Sequence, residues 1–128
     1  MNLFKKILLY FKYKKPIQIF KECAIGLVIF GIVFFLLIYA VEVNNRKRVY
    51  ENIEKIQIGE SISTAISKMK SGTLFLEYSS KKCDNCFDSN VYEIVFYHKH
   101  PHHDCIDYPS IEYNLRSGLI VGYGNGCF

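Results

Sequence analysis

From Glu42 onward the chain has almost no net charge, with ten Lys or Arg against eleven Asp or Glu. A surface that binds DNA or RNA needs a basic excess to neutralise phosphates, so the folded part has no nucleic-acid footprint. The sequence also lacks a glycine-rich phosphate loop, a Gly-x-Ser-x-Gly elbow and a His-Glu-x-x-His helix. Those absences exclude the corresponding nucleotide, serine-hydrolase and zinc-protease chemistries, and the chain is expected not to be an enzyme. Length is short as well. Of 128 residues, a membrane segment leaves roughly 80 for one small domain, whose marginal core calls for disulfides, a metal or a partner.

Charge is missing altogether from Cys23 to Val41, a run of 19 residues. As a helix that run is about 28 Å long, close to the hydrocarbon thickness of a bilayer. Six lysines (Lys5, Lys6, Lys12, Lys14, Lys15 and Lys21) precede it, while Arg46, Lys47 and Arg48 follow it. Positive residues are retained in the cytoplasm, so the amino terminus is expected inside. The run exceeds a signal-peptide core, and Glu42-Val43-Asn44-Asn45 offers no small-x-small cleavage site, so the segment is expected to remain as an anchor. The expected plan is a cytoplasmic basic arm over residues 1–22, a transmembrane helix over 23–43 and an extracytoplasmic domain over 44–128, in the plasma (inner) membrane. Within the arm, apolar positions 3, 4, 7, 8 and 11 alternate with lysines. That spacing fits a helix lying in the membrane surface, and the lysines equally serve to set topology. Pro16 separates arm from span.

Past the membrane, Val49, Ile53 and Ile56 share one helical face and Glu51 precedes Lys55 by four residues, so the helix is expected to continue to about Lys55. Ser61 has the character of an N-cap, with Ile62, Ala65, Ile66 and Met69 as the apolar stripe of a second helix that ends at Ser71-Gly72. Alternating β-branched and aromatic residues predict strands at Leu74–Tyr78, Val91–Tyr97, Ile111–Leu115 and Leu119–Tyr123. Arg116-Ser117-Gly118 joins the last two, with Gly118 in the left-handed position. Two helices followed by consecutive strands indicate an α+β domain, its helices packed on one face of a three- to four-stranded antiparallel sheet. Tyr78, Tyr92, Tyr97, Tyr108, Tyr113 and Tyr123 are read as sheet residues, some of them available as interface anchors.

The segment Ile56-Gln57-Ile58-Gly59-Glu60-Ser61-Ile62-Ser63-Thr64-Ala65-Ile66 resembles the opening of the SmpA/OmlA (BamE-like) family. Members begin with an Ile-x-x-Gly-(Met)-(Ser/Thr) segment, continue into a short helix and finish in a three-stranded antiparallel sheet. The resemblance covers roughly Ile56 to Tyr123. It implies a small accessory module that binds protein partners at the envelope and performs no chemistry. Family members are usually lipoproteins, whereas this chain carries an apolar segment, and Ser71-Gly72-Thr73 stands where the family has Gly-x-Pro.

Four cysteines lie beyond the apolar run, at positions 83, 86, 105 and 127. In an oxidising compartment an even number reads as disulfides. The hairpin about Arg116-Ser117-Gly118 sets Tyr113 opposite Val121 and Asp107 opposite Cys127, which brings Cys105 to Cys127 and leaves Cys83 with Cys86. A second reading uses the same residues as metal ligands. Cys83 and Cys86 at Cys-x-x-Cys spacing, with His98, His100, His102, His103 and Cys105, have the donor types of a zinc site. A third reading, a thioredoxin-like redox pair, needs Cys83 and Cys86 at a helix amino terminus. Asp104 and Asp107 lie near enough in sequence to the histidines to orient a base.

The leading expectation is a non-enzymatic envelope protein, without a cofactor, whose partners are the lipid bilayer and another envelope protein. The outer domain then acts as a protein-interaction module, through the exposed face of its sheet. The alternatives are a metal-binding or redox module at the cysteines and histidines, with zinc as its ion, and a membrane-anchored immunity or inhibitor protein.

Overall fold

The computed structural model describes residues 2–99 and 107–126. Two compact units divide the chain, Met1–Ile38 and Tyr39–Phe128. In the first, α1 (Leu3–Tyr13) is amphipathic and has no buried residue. Lys14 has extended backbone, and Pro16, whose fixed φ suits a first helical position, opens α2 (Pro16–Ile53). Glu22 accepts hydrogen bonds from Tyr10 and Lys14. The apolar part of α2 has a mean hydropathy of 2.9 over its best 18 residues and buries none of them, so α2 is long and apolar enough to cross a membrane.

The second unit contains the end of α2, then α3 (Ile62–Lys70) and four strands, β1 (Tyr78–Lys82), β2 (Val91–Phe96), β3 (Ser110–Asn114) and β4 (Ile120–Gly124). The strands form one antiparallel sheet in sequence order. Val49, Ile53 and Ile56 are buried together with Ala65 and Met69 of α3, and this layer packs on Ile94, Phe96, Ile111, Tyr113 and Ile120 of the sheet. Side chains alternate across a strand, so these sheet residues form one face and their sequence neighbours form the other. The fold class is therefore α+β, with the expected two helical segments against one face of a four-stranded sheet.

Ser61 caps α3 as its residue type suggests, accepting from the Thr64 N–H at 3.3 Å. At the other end the Ser71 N–H returns to the Lys68 carbonyl, and Gly72 takes a left-handed φ of 72°. Pairing of Glu51 differs from the sequence expectation. Its carboxylate meets Arg48 at 3.1 Å and Lys47 at 4.0 Å, while Lys55 donates to Asn52.

The first strand also differs. Residues 74–77 form no strand, and the edge strand is Tyr78–Lys82. The Asn45 side chain donates to the Leu74 carbonyl and accepts from the Leu74 N–H, which removes the backbone groups a ladder would use. Phe75, at φ 51°, leaves the extended region altogether. The polar stretch Tyr-Ser-Ser-Lys-Lys has no alternation to advertise it, as befits an edge strand guarded by lysines.

In the last hairpin Gly118 has φ 68°, as predicted. A register shift at Glu112/Tyr113 pairs Tyr113 with Ile120, not with Val121. The shift puts Tyr113 and Ile120 together in the core. The segment before α3 covers the outer edge of β4, through Gly59 N–H to the Ile120 carbonyl at 2.8 Å and Ile120 N–H to the Glu60 carbonyl at 2.9 Å.

Candidate functional site

Among the described residues no helix packs on the sheet face away from α2 and α3, although Val91 and Val95 on that face are buried. Across it the register aligns Lys81 with Glu93, Glu93 with Glu112 and Glu112 with Gly122. Lys81 reaches Glu93 at 3.6 Å. Glu112 lies toward Gly122, where an added Cβ would stand 2.8 Å from its carboxylate oxygen. The missing side chain at Gly122 is thus what lets Glu112 lie flat across β4. A groove of about 580 Å³ opens on this face, lined among others by Lys81, Asn85, Glu93, Asp107, Glu112 and Tyr123. Three carboxylates against one ammonium give it an acidic floor, which favours a cationic partner.

One wall of the groove is the loop between β1 and β2. The Cys83 N–H donates to the Val91 carbonyl, extending the β1–β2 pairing by one residue, and Cys83 is joined to Cys86 by a disulfide. This is the pairing the sequence predicts. The pair lies in a loop between strands and not at a helix amino terminus, so the feature that lowers a thiol pKa in thioredoxin-like centres is missing here.

Among the described residues Cys83, Cys86 and Glu112 form the group with metal-ligating atoms within 4.8 Å of one another. As a disulfide the two sulfurs offer no thiolate, the form a metal requires. Glu112 is a site residue that sequence reasoning missed. Its only signal is its place opposite the apolar positions 111 and 113 in β3.

His98 is not part of this site. It is buried beyond the far end of β2, with Nδ1 3.4 Å from a Glu42 oxygen and Nε2 accepting the Glu77 N–H at 3.3 Å. Six or seven residues of extended chain, about 20 Å, separate that end of β2 from the Val91 end beside Cys83. A single zinc site built from Cys83, Cys86 and His98 is therefore corrected by strand geometry. His100, His102, His103, Asp104, Cys105 and Cys127 lie outside the described residues, and with them the expected Cys105–Cys127 pairing. Asp107 lines the groove, and its N–H donates to the Gly126 carbonyl at 3.4 Å.

The tyrosines divide between faces. The Tyr92 and Tyr113 rings meet at a tilt in the helix-covered layer with centroids 6.0 Å apart, and the Tyr113 hydroxyl meets Ser80 at 2.8 Å. Tyr123 borders the groove, while its register partner Ile111 lies in the core. Comparison with family models, with curated proteins and with solved structures gives no match.

Proposed function

We propose that the chain is a membrane-anchored, non-enzymatic binding protein, whose second unit engages another envelope protein through the open sheet face. The apolar part of α2 serves as the span, the lysine-rich arm stays in the cytoplasm and the sheet lies on the outer side. The lysine asymmetry about the run supports that orientation. A disulfide in the Cys83–Cys86 loop accords with an oxidising compartment. The observation that carries the binding role is the groove on the face away from the helices, whose acidic floor of Glu93, Glu112 and Asp107 is flanked by Tyr123. Tyrosine is among the residue types enriched at interaction hot spots. An accessory module without chemistry is also what the BamE-like resemblance implies.

The test is recovery of partners from detergent-solubilised membranes with the wild-type chain and with Glu112→Lys. Charge reversal on the groove floor should reduce the specific partner by about tenfold or more, as expected for juxtaposed like charges at an interface. Equal recovery by both proteins, or no specific partner with either, defeats the proposal.

A second reading rests on the approach of Glu112 to Cys83 and Cys86. On reduction the two thiolates and the carboxylate would supply three donors for a soft divalent ion. Intact-mass measurement separates the readings, because the oxidised pair lacks two hydrogens and retains no metal.

A further inference from the structure

Three ties within the second unit define which end of the sheet lies level with helix residues 42–45. Asn45 follows Val41, the last residue of that run, by four positions, about 6 Å of helix. Its side-chain amide donates to the Leu74 carbonyl at 2.5 Å and accepts from the Leu74 N–H at 3.0 Å. Asn44 donates to the Gly72 carbonyl at 2.9 Å. Glu42, the first residue after the run, holds the buried His98 ring at 3.4 Å. The loop 72–75 and the Phe96 end of β2 are therefore level with helix residues 42–45. The Cys83–Asn90 loop lies at the opposite end of the β1–β2 hairpin.

The near end displays side chains that water does not favour. Phe75 is 92% exposed and Leu74 58% exposed. Phe75 also sits at φ 51°, a left-handed conformation that bulky residues rarely adopt. With Leu74 held on both backbone groups, the chain turns there and presents the ring outward. Tyr78 and Tyr108 are part-exposed at the same end, with the Lys70 ammonium 5.5 Å from the Tyr78 ring and that of Lys99 5.9 Å from the Tyr108 ring. Amphipathic rings beside lysines are the composition of a membrane–water interface.

The polar zone of each leaflet is about 5–8 Å deep. Helix residues 42–45 fall inside that depth if the uncharged run fills the hydrocarbon. We infer that this end of the domain rests in the headgroup zone, with Leu74 and Phe75 as an apolar wedge in the bilayer beside α2. The occupant of the exposed patch is lipid, because the patch is continuous with the helix end that leaves the membrane. The inference rests on the reading that α2 spans the bilayer.

The chain contains no tryptophan, so single substitutions supply a unique fluorophore. Phe75→Trp, Phe34→Trp and Phe87→Trp would each be placed in the full chain, in nanodiscs of phosphatidylcholine and phosphatidylglycerol with or without brominated acyl chains. Phe34 lies in the apolar run and reports the span, while Phe87 is fully exposed on the far loop and reports water. The expected result is blue-shifted emission and loss of most intensity to brominated lipid at positions 34 and 75, with red emission and no such loss at 87. Adding Asn45→Ala to Phe75→Trp should restore intensity at 75, whereas added to Phe34→Trp it should change nothing. Quenching at 34 with water-like emission at 75 overturns the wedge and leaves the anchor standing. Emission at 75 that is blue-shifted but insensitive to bromine also overturns it, because protein then covers the loop. Water-like emission at 34 overturns the anchor and the wedge together.

Discussion

Asn52 is buried on α2 and donates to two carbonyls at the end of α3, Met69 at 3.1 Å and Ser71 at 2.8 Å. The last carbonyls of a helix have no partner within it, so this one side chain closes α3 onto α2. Asn45 does the same for Leu74. Replacing Asn52 with Ala leaves the buried Met69 carbonyl without that donor. The expected cost is about 1–3 kcal/mol, read as a lower denaturant midpoint at unchanged slope. A shift smaller than about 0.5 kcal/mol would mean that water substitutes for the amide. Neither asparagine is conspicuous in the sequence, since a polar residue beside an apolar stripe ordinarily faces solvent. Its burial depends on which carbonyls a distant helix brings to it. Glu112 and Gly122 are similar, because their pairing exists only once β3 and β4 are in register.

At the scale of elements, α3 is tied to β4 through Glu60. The Glu60 backbone carbonyl accepts from the Ile120 N–H, while its carboxylate accepts from Lys68 and from the Gln57 N–H. Burial works against ionisation of Glu60, but the hydrogen bonds from Lys68 and Gln57 and the charge of Lys68 outweigh it and hold the carboxyl below its ordinary range. A lowered folded value means that the ionised pair stabilises the fold above the ordinary carboxylate range, and that this contribution disappears as pH falls through the lowered value. Glu60→Gln should therefore cost of order 1 kcal/mol at neutral pH, and the difference from wild type should vanish in acid. Paired unfolding curves at neutral and acidic pH measure it, and a gap that persists or widens in acid contradicts the assignment. The α3 stripe and cap were legible because helix periodicity and N-cap chemistry are local. The first strand was not, because Asn45 takes up the backbone of Leu74 from outside the segment and moves strand pairing on to Tyr78.

For the whole molecule, the anchoring role predicts that the chain sediments with membranes after an alkaline wash and is released only by detergent. Burial of an apolar span is indifferent to pH and salt, whereas a helix held by its lysines alone is freed by either. Appearance in the aqueous wash fraction would mean that α2 does not anchor the chain. The lysine-rich arm, the uncharged run and the helical stripes were legible in the sequence alone, whereas Cys83 and Cys86 had open to them a disulfide, a metal site and a redox pair. Those legible features rest on composition or on neighbours a few residues apart, which geometry relates in only one way. Tertiary structure decided the rest: which carboxylates share the open face, that His98 belongs to Glu42 at the other end of β2 from the cysteines, and that Leu74 and Phe75 leave the sheet. Those outcomes depend on register and on the packing of helix against sheet, where one bulge or one buried amide changes which distant residues meet.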